Sequence, residues 1–132
     1  MTVAQRLSQV FGWAFVVVGL AGFAATGGSM VADHMLAPKL FGLFPVNVTH
    51  NIVHLLFGLW GVFAARGVGA SRSYLLGSGL AYLVLAGLGF VIPDGLGLVP
   101  IGGADIGLHL FLAIGLLFSG LIFARPVETR VA

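Results

Sequence analysis

The chain contains no cysteine. That single absence excludes disulfides, thiolate metal sites, c-type haem attachment and cysteine nucleophiles together. Charge is scarce as well. Only 8% of the 132 residues are Asp, Glu, Lys or Arg, against about 25% in an ordinary soluble domain. So few charges do not cover a water-facing surface. The six Lys and Arg residues are scattered at segment ends and form no basic patch, so nucleic acid is not an expected partner. No HExxH or comparable metalloprotease spacing occurs, which argues against hydrolysis and for a non-catalytic protein.

What the sequence has in plenty is apolar. Hydrophobic residues make up 59% of it and the mean hydropathy is +1.12. The expected solvent, and the first expected partner, is therefore the lipid bilayer. Four apolar runs stand out, at about 10–26, 48–65, 74–92 and 104–124, with a polar, turn-rich outer loop over 27–47. Their lengths of 17 to 21 residues match a hydrocarbon core of about 30 Å at about 1.5 Å of helix rise per residue. Backbone groups in lipid must be satisfied within the chain, and the runs lack period-2 alternation, so helices are expected and strands are not. The first run follows Arg6 in the manner of a signal peptide but is long for one, and is read as a retained first membrane helix. The expected fold is all-α: one transmembrane domain, a four-helix bundle.

Arg6, Arg66, Arg72, Arg125 and Arg130 fall on one side of such a bundle and Lys39 alone on the other. The positive-inside rule then places both termini and the middle connection in the cytoplasm, in a bacterial inner membrane. Trp13, Trp60 and Tyr74 lie at that cytoplasmic edge, where amphipathic rings favour the interface. Glycine is frequent, with 21 residues. Small-residue pairs such as Gly77/Ala81 and Gly115/Ser119 are expected to let helices approach closely.

The chain also repeats itself. Phe44–Gly61 reads FPVNVTHNIVHLLFGLWG, and Val99–Leu116 reads VPIGGADIGLHLFLAIGL. Aligned from Gly42 and Gly97 without a gap, 22 positions share six identities. Pro45 matches Pro100, His54 matches His109 and His50 matches Asp105. Two parallel helical-hairpin repeats follow, related by an axis along the membrane normal. Under that axis His54 and His109 come to equal depth from opposite sides.

His50, His54, Gly58 and Gly61 share one helical stripe by i, i+4 spacing, and Asp105, His109 and Ala113 share the matching stripe. Polar side chains in lipid are costly unless they point inward and find partners. Three readings stay open. The histidines hydrogen-bond to one another or to Asp105, Asn51 or Thr49, and fix the bundle as a structural or assembly subunit. Alternatively His54 and His109 are axial ligands of a haem or another tetrapyrrole, with Gly58 and Ala113 leaving room for the flat ring. Or His50, His54, Asp105 and His109 hold a transition metal, since imidazole and carboxylate suit Zn, Cu or Fe. A small oligomeric transporter or a proton relay through His and Asp is a further alternative. A homo-oligomer or a place in a larger membrane complex is compatible with each. In the outer loop, Asp33 and His34 read as a solvated turn that has the length to fold back over the cluster, and Asp94 reads as a turn residue. Asn47 completes a glycosylation sequon, but a helix N-cap explains it better.

At Asn51-x-x-His54-x-x-x-Gly58, at Gly87 and Gly89 in the third run, and at His109 after Asp105, the sequence resembles a family of small bacterial four-helix membrane proteins known only as a domain of unknown function. The likeness covers roughly Val10 to Gly120. It implies the fold and a membrane location. It implies no activity, so no catalytic residue is carried over.

Overall fold

The computed structural model describes residues 1–124. Arg125 and Arg130, which entered the charge asymmetry above, lie outside the described residues. The elements run α1 (Val3–Thr26), β1 (Lys39–Leu40), β2 (Phe44–Pro45), α2 (Val48–Ala64), α3 (Val68–Val91), a 3-10 turn (Gly95–Gly97) and α4 (Ala104–Ile122). The protein is an all-α four-helix membrane bundle. Three helices, α1, α3 and α4, are long and apolar enough to cross a bilayer, and α2 is a shorter apolar helix of 17 residues.

Two helices begin earlier than the hydropathy pattern indicates. At α1 the reason is a capping box. Thr2 Oγ1 accepts from Gln5 N at 3.3 Å and Thr2 N donates to Gln5 Oε1 at 2.9 Å, so helix starts seven residues before the apolar run does. At α3 the segment read as a basic connection is mostly helix. Gly67 is its N-cap, and Ser71 Oγ donates to Ala64 O at 3.0 Å, fastening the first turn of α3 to the end of α2. Arg72 therefore sits in a helix. The outer loop carries a two-residue antiparallel ladder, Lys39 to Pro45 and Leu40 to Phe44, closed through the positive-φ residues Phe41 and Gly42.

The helices pair as two antiparallel hairpins. In the first, Asn51 Nδ2 donates to Thr26 Oγ1 at 3.0 Å at one end, and Ser8 Oγ donates to Gly61 O at 2.8 Å at the other. Between these ties the backbones nearly touch. A Cβ on Gly12 would lie 2.8 Å from Gly58 O, and one on Gly58 would lie 2.7 Å from Val16 N. In the second hairpin, Gly89 meets Ile106, Gly79 meets Leu117 and Gly120 meets Leu76. These glycines make the close approaches, and Gly77/Ala81 and Gly115/Ser119 do not. Gly77 touches only the far edge of Trp60, and Gly115 has one distant neighbour, Phe11.

The interior is unusually polar and the exterior apolar. Ser8, Asn47, His50, Asn51, Ser71, Ser78, Asp105 and His109 are buried, while Val17, Leu20, Leu56, Phe90, Phe111 and Ile114 are exposed. This inside-out distribution suits a chain whose surroundings are hydrocarbon. Trp13 and Trp60 are exposed, but Tyr74 is fully buried, its ring packed on Gly61. Tyr74 is thus a core residue and not an interface anchor.

Candidate functional site

The hairpins meet around the histidines. Asn47 caps α2, accepting from His50 N at 2.9 Å through Oδ1 and donating to Leu98 O at 3.0 Å through Nδ2. This fixes the first turn of α2 and, with it, the direction of His50. Asn47 is fully buried, so its amide is occupied by the cap. Asp105 stands in the first turn of α4, next to the helix N-terminus, where a negative charge is favoured. One turn further along each helix come His54 and His109.

His50 Nδ1 lies 3.6 Å from Asp105 Oδ2, and His109 Nε2 lies 3.9 Å from the same oxygen. One ligand atom from each of His50, Asp105 and His109 falls within 4.8 Å of the others. All three side chains are at least 95% buried. Nδ1 of His50, Nδ1 of His109 and Oδ2 of Asp105 have no hydrogen-bond partner. The separations are too long for hydrogen bonds. Two ligands at about 2.1 Å from one ion, set at the tetrahedral angle, stand about 3.4 Å apart. The spacing matches that of ligands sharing one ion and not that of hydrogen-bonded partners. The carbonyls of Pro45 and Pro100 both approach the His50 ring. A carbonyl at one ring nitrogen fixes the tautomer and leaves the other as a ligand.

His54 has a different place. It stacks on His50 with centroids 4.9 Å apart and 15° between planes, and the Phe15 ring approaches it at 5.7 Å. Its Nδ1 is also buried without a partner, yet it falls outside the three-ligand group. It makes no ring contact with His109. Tyr82 of α3 touches both, at 6.4 Å from His54 and 5.3 Å from His109, and stacks on Phe15 at 5.2 Å. His54 and His109 border the same central cavity, and the imidazole in ring contact with His109 is that of His50, at 6.0 Å.

The tetrapyrrole reading does not fit. The cavity bounded by His50, His54, His109 and Tyr82 has a volume of about 70 Å³, whereas pockets for drug-sized ligands begin at about 300 Å³. Gly58 leaves no slot for a ring, because α1 fills the space over it. Ala113 is fully buried in the apolar core with Tyr74, Leu75 and Leu116. Gly58 and Ala113 are packing residues. The four-ligand metal set reduces to His50, Asp105 and His109, which do fit an ion. The hydrogen-bonded reading also changes, since the expected bonds among these side chains do not form. Asn51 instead bonds to Thr26.

The outer loop does more than turn. His34 N and His34 Nδ1 both lie on Asp94 Oδ1, at 2.9 and 2.8 Å. This joins the loop of the first hairpin to the Pro93-Asp94 turn of the second. The His34 backbone N–H and ring hold the Asp94 carboxyl below the usual carboxylate range. Asp33 Oδ1 accepts from Met35 N at 2.8 Å, and the His34 ring lies against Gly102, just before α4. Tyr82 and this clasp are the features that reading the sequence missed. A signal for Tyr82 was present: an aromatic hydroxyl in the middle of an apolar run, away from the interface where such rings usually sit.

No curated protein and no solved structure matches the chain significantly. A family model described as Domain of unknown function (DUF4383) matches residues 5–122. The chain belongs to that family.

Proposed function

We propose that this membrane protein holds a transition-metal ion between its two hairpins, with His50, Asp105 and His109 as ligands. The observation that carries the reading is one ligand atom from each of three buried side chains within 4.8 Å of one another, with His50 Nδ1 and Asp105 Oδ2 unpartnered and His109 Nε2 beside them. Buried polar atoms in a natural protein are nearly always partnered. Two left open 3.6 Å apart, with an imidazole nitrogen of His109 at 3.9 Å, are accounted for by an ion. Two imidazoles and one carboxylate suit iron or zinc, and leave positions open on the side of the cavity. His54 and Tyr82 line that side and stand next to the ion without binding it. The role is that of an accessory metal-binding protein.

The sequence repeat supports the same reading. His50 and Asp105 occupy equivalent places in the two halves and end as neighbours, and the equivalent Pro45 and Pro100 approach one imidazole. A duplicated hairpin with a pseudo-twofold axis through the centre produces such convergence. Arg6, Arg66 and Arg72 at one end of the bundle, against Lys39 at the other, support an orientation with the N-terminus and the α2–α3 connection on the cytoplasmic side of a bacterial inner membrane.

Elemental analysis of detergent-purified protein tests the metal. The expected result is about one equivalent of iron or zinc per chain, lost in His50→Ala and in Asp105→Asn and kept in His54→Ala. Wild-type protein that carries only traces after reconstitution with either metal removes the proposal.

A further inference from the structure

The small cavity at the centre adjoins a larger one. Val53 and Leu85 form part of its wall, and the same two residues line a second cavity of about 530 Å³ between α2 and α3. The larger cavity is bordered on the outside by Leu80 and Val84, which are 58% and 52% exposed on the bilayer-facing surface. Gly77 and Ala81 form its floor, and their lack of bulk is what makes it a groove. So a wide apolar groove on the lipid side and a narrow chamber at the metal ligands have Val53 and Leu85 as a common wall.

The two volumes describe one molecule. The groove is the size that holds an apolar ligand body. The chamber, at about 70 Å³, admits a head of a few atoms and excludes a phospholipid headgroup. Charge selects among small heads. A divalent ion beside the single carboxylate of Asp105 leaves one uncompensated positive charge in a low-dielectric interior, and an anionic head removes it. His54 lines the chamber with a buried, unpartnered Nδ1, a donor or acceptor for the atom of the head that the ion does not hold.

We infer that a single-chain carboxylate amphiphile of the fatty-acid class enters sideways from the bilayer, lays its chain in the α2–α3 groove and places its carboxylate on the metal at His50, Asp105 and His109. The inference rests on the metal-centre reading of the preceding section.

The test uses the full chain in phosphatidylcholine nanodiscs loaded with cobalt(II), whose visible spectrum reports its ligands. Added laurate is expected to change the cobalt spectrum saturably, and dodecanol, equal in length and neutral, to leave it unchanged. Val53→Trp adds bulk to the wall that groove and chamber share. It is expected to keep its cobalt and to bind laurate at least about tenfold more weakly. Should that variant lose its cobalt, Ala81→Phe fills the groove further from the ligands and carries the same expectation. Cobalt bound with no response to laurate overturns the inference and leaves the metal centre standing. An equal response to dodecanol, or an undiminished response in the blocked variant, overturns it too. Failure of wild-type protein to take up cobalt overturns both readings, and metal content alone tells that case apart.

Discussion

His50 Nδ1 and Asp105 Oδ2 stand 3.6 Å apart across the boundary between two hairpins. Each is buried, and neither atom has a partner. An ion that binds the folded bundle and not the unfolded chain must stabilise it, by about 2.7 kcal/mol at a free concentration a hundred times its Kd. Thermal unfolding in detergent is therefore expected to move to higher temperature when zinc or cobalt is added, and to return on chelation. His109→Ala, lacking one ligand, is expected to show little or none of this shift. A midpoint that ignores the metal in wild-type protein contradicts the centre.

The crossing of α1 and α2 depends on two glycines. A Cβ on Gly58 would lie 2.7 Å from Val16 N and 2.8 Å from Gly12 O, and those are backbone atoms that cannot step aside singly. Gly58→Ala is expected to cost about 1–3 kcal/mol as an overpacked contact. Gly107 and Gly87 have nothing within 4 Å of where a Cβ would stand. Alanine at either is expected to be neutral or slightly stabilising, because it is the better helix former. Equal losses at Gly58 and Gly107 in detergent unfolding assays would refute this division of the glycines.

Composition and hydropathy were enough to read the four apolar helices, because lipid leaves a chain little choice but helix. The stripe from His50 to Gly61 and the matching stripe at Asp105 and His109 were legible too, since i, i+4 spacing fixes a face. Three things were not. Which polar residues meet depends on the crossing of the hairpins, and so Tyr82, between His54 and His109, had no local signal beyond its position. The role of Gly58 depends on what lies opposite, and α1 lies there. Helix starts at Val3 and Val68 precede the apolar runs because a capping box and a serine bond to Ala64 extend helix into polar sequence. Hydropathy is blind to both.

Asn51 makes the buried polar tie at the outer end of the first hairpin, donating to Thr26 Oγ1 at 3.0 Å. Gly22 lies directly beneath its side-chain amide, and a Cβ there would overlap Asn51 Oδ1. Asn51→Ala is expected to destabilise the bundle by about 0.6–2 kcal/mol, the usual range for a hydrogen bond between membrane helices. Gly22→Ala is expected to do the same by displacing the amide, and the two losses to be less than additive in the double variant. Fully additive losses in a double-mutant cycle separate the glycine from the asparagine.

The clasp between His34 and Asp94 sets a pH dependence for the loop that precedes α2. Asp94 is held below its ordinary carboxylate range by the His34 backbone N–H and ring. A group with a depressed folded pKa contributes its stabilisation above the unfolded value, about 3.9 for Asp, and loses it as the pH falls through the folded value. The clasp is therefore closed at neutral pH and opens only in acid. Asp94→Ala is expected to open it at any pH. Because Asp94 accepts from the backbone of His34, and Leu36 and Ala37 turn back onto Asp33 O just beyond, the loop amides from His34 to Ala37 are the reporters. Their hydrogen exchange at neutral pH is expected to rise by about tenfold or more in Asp94→Ala, as local openings do when a tethering bond is lost. Amides in the middle of α1 and α4 are expected to stay as protected as before. Unchanged exchange in the loop, or a uniform rise through the helices, rules out a local clasp.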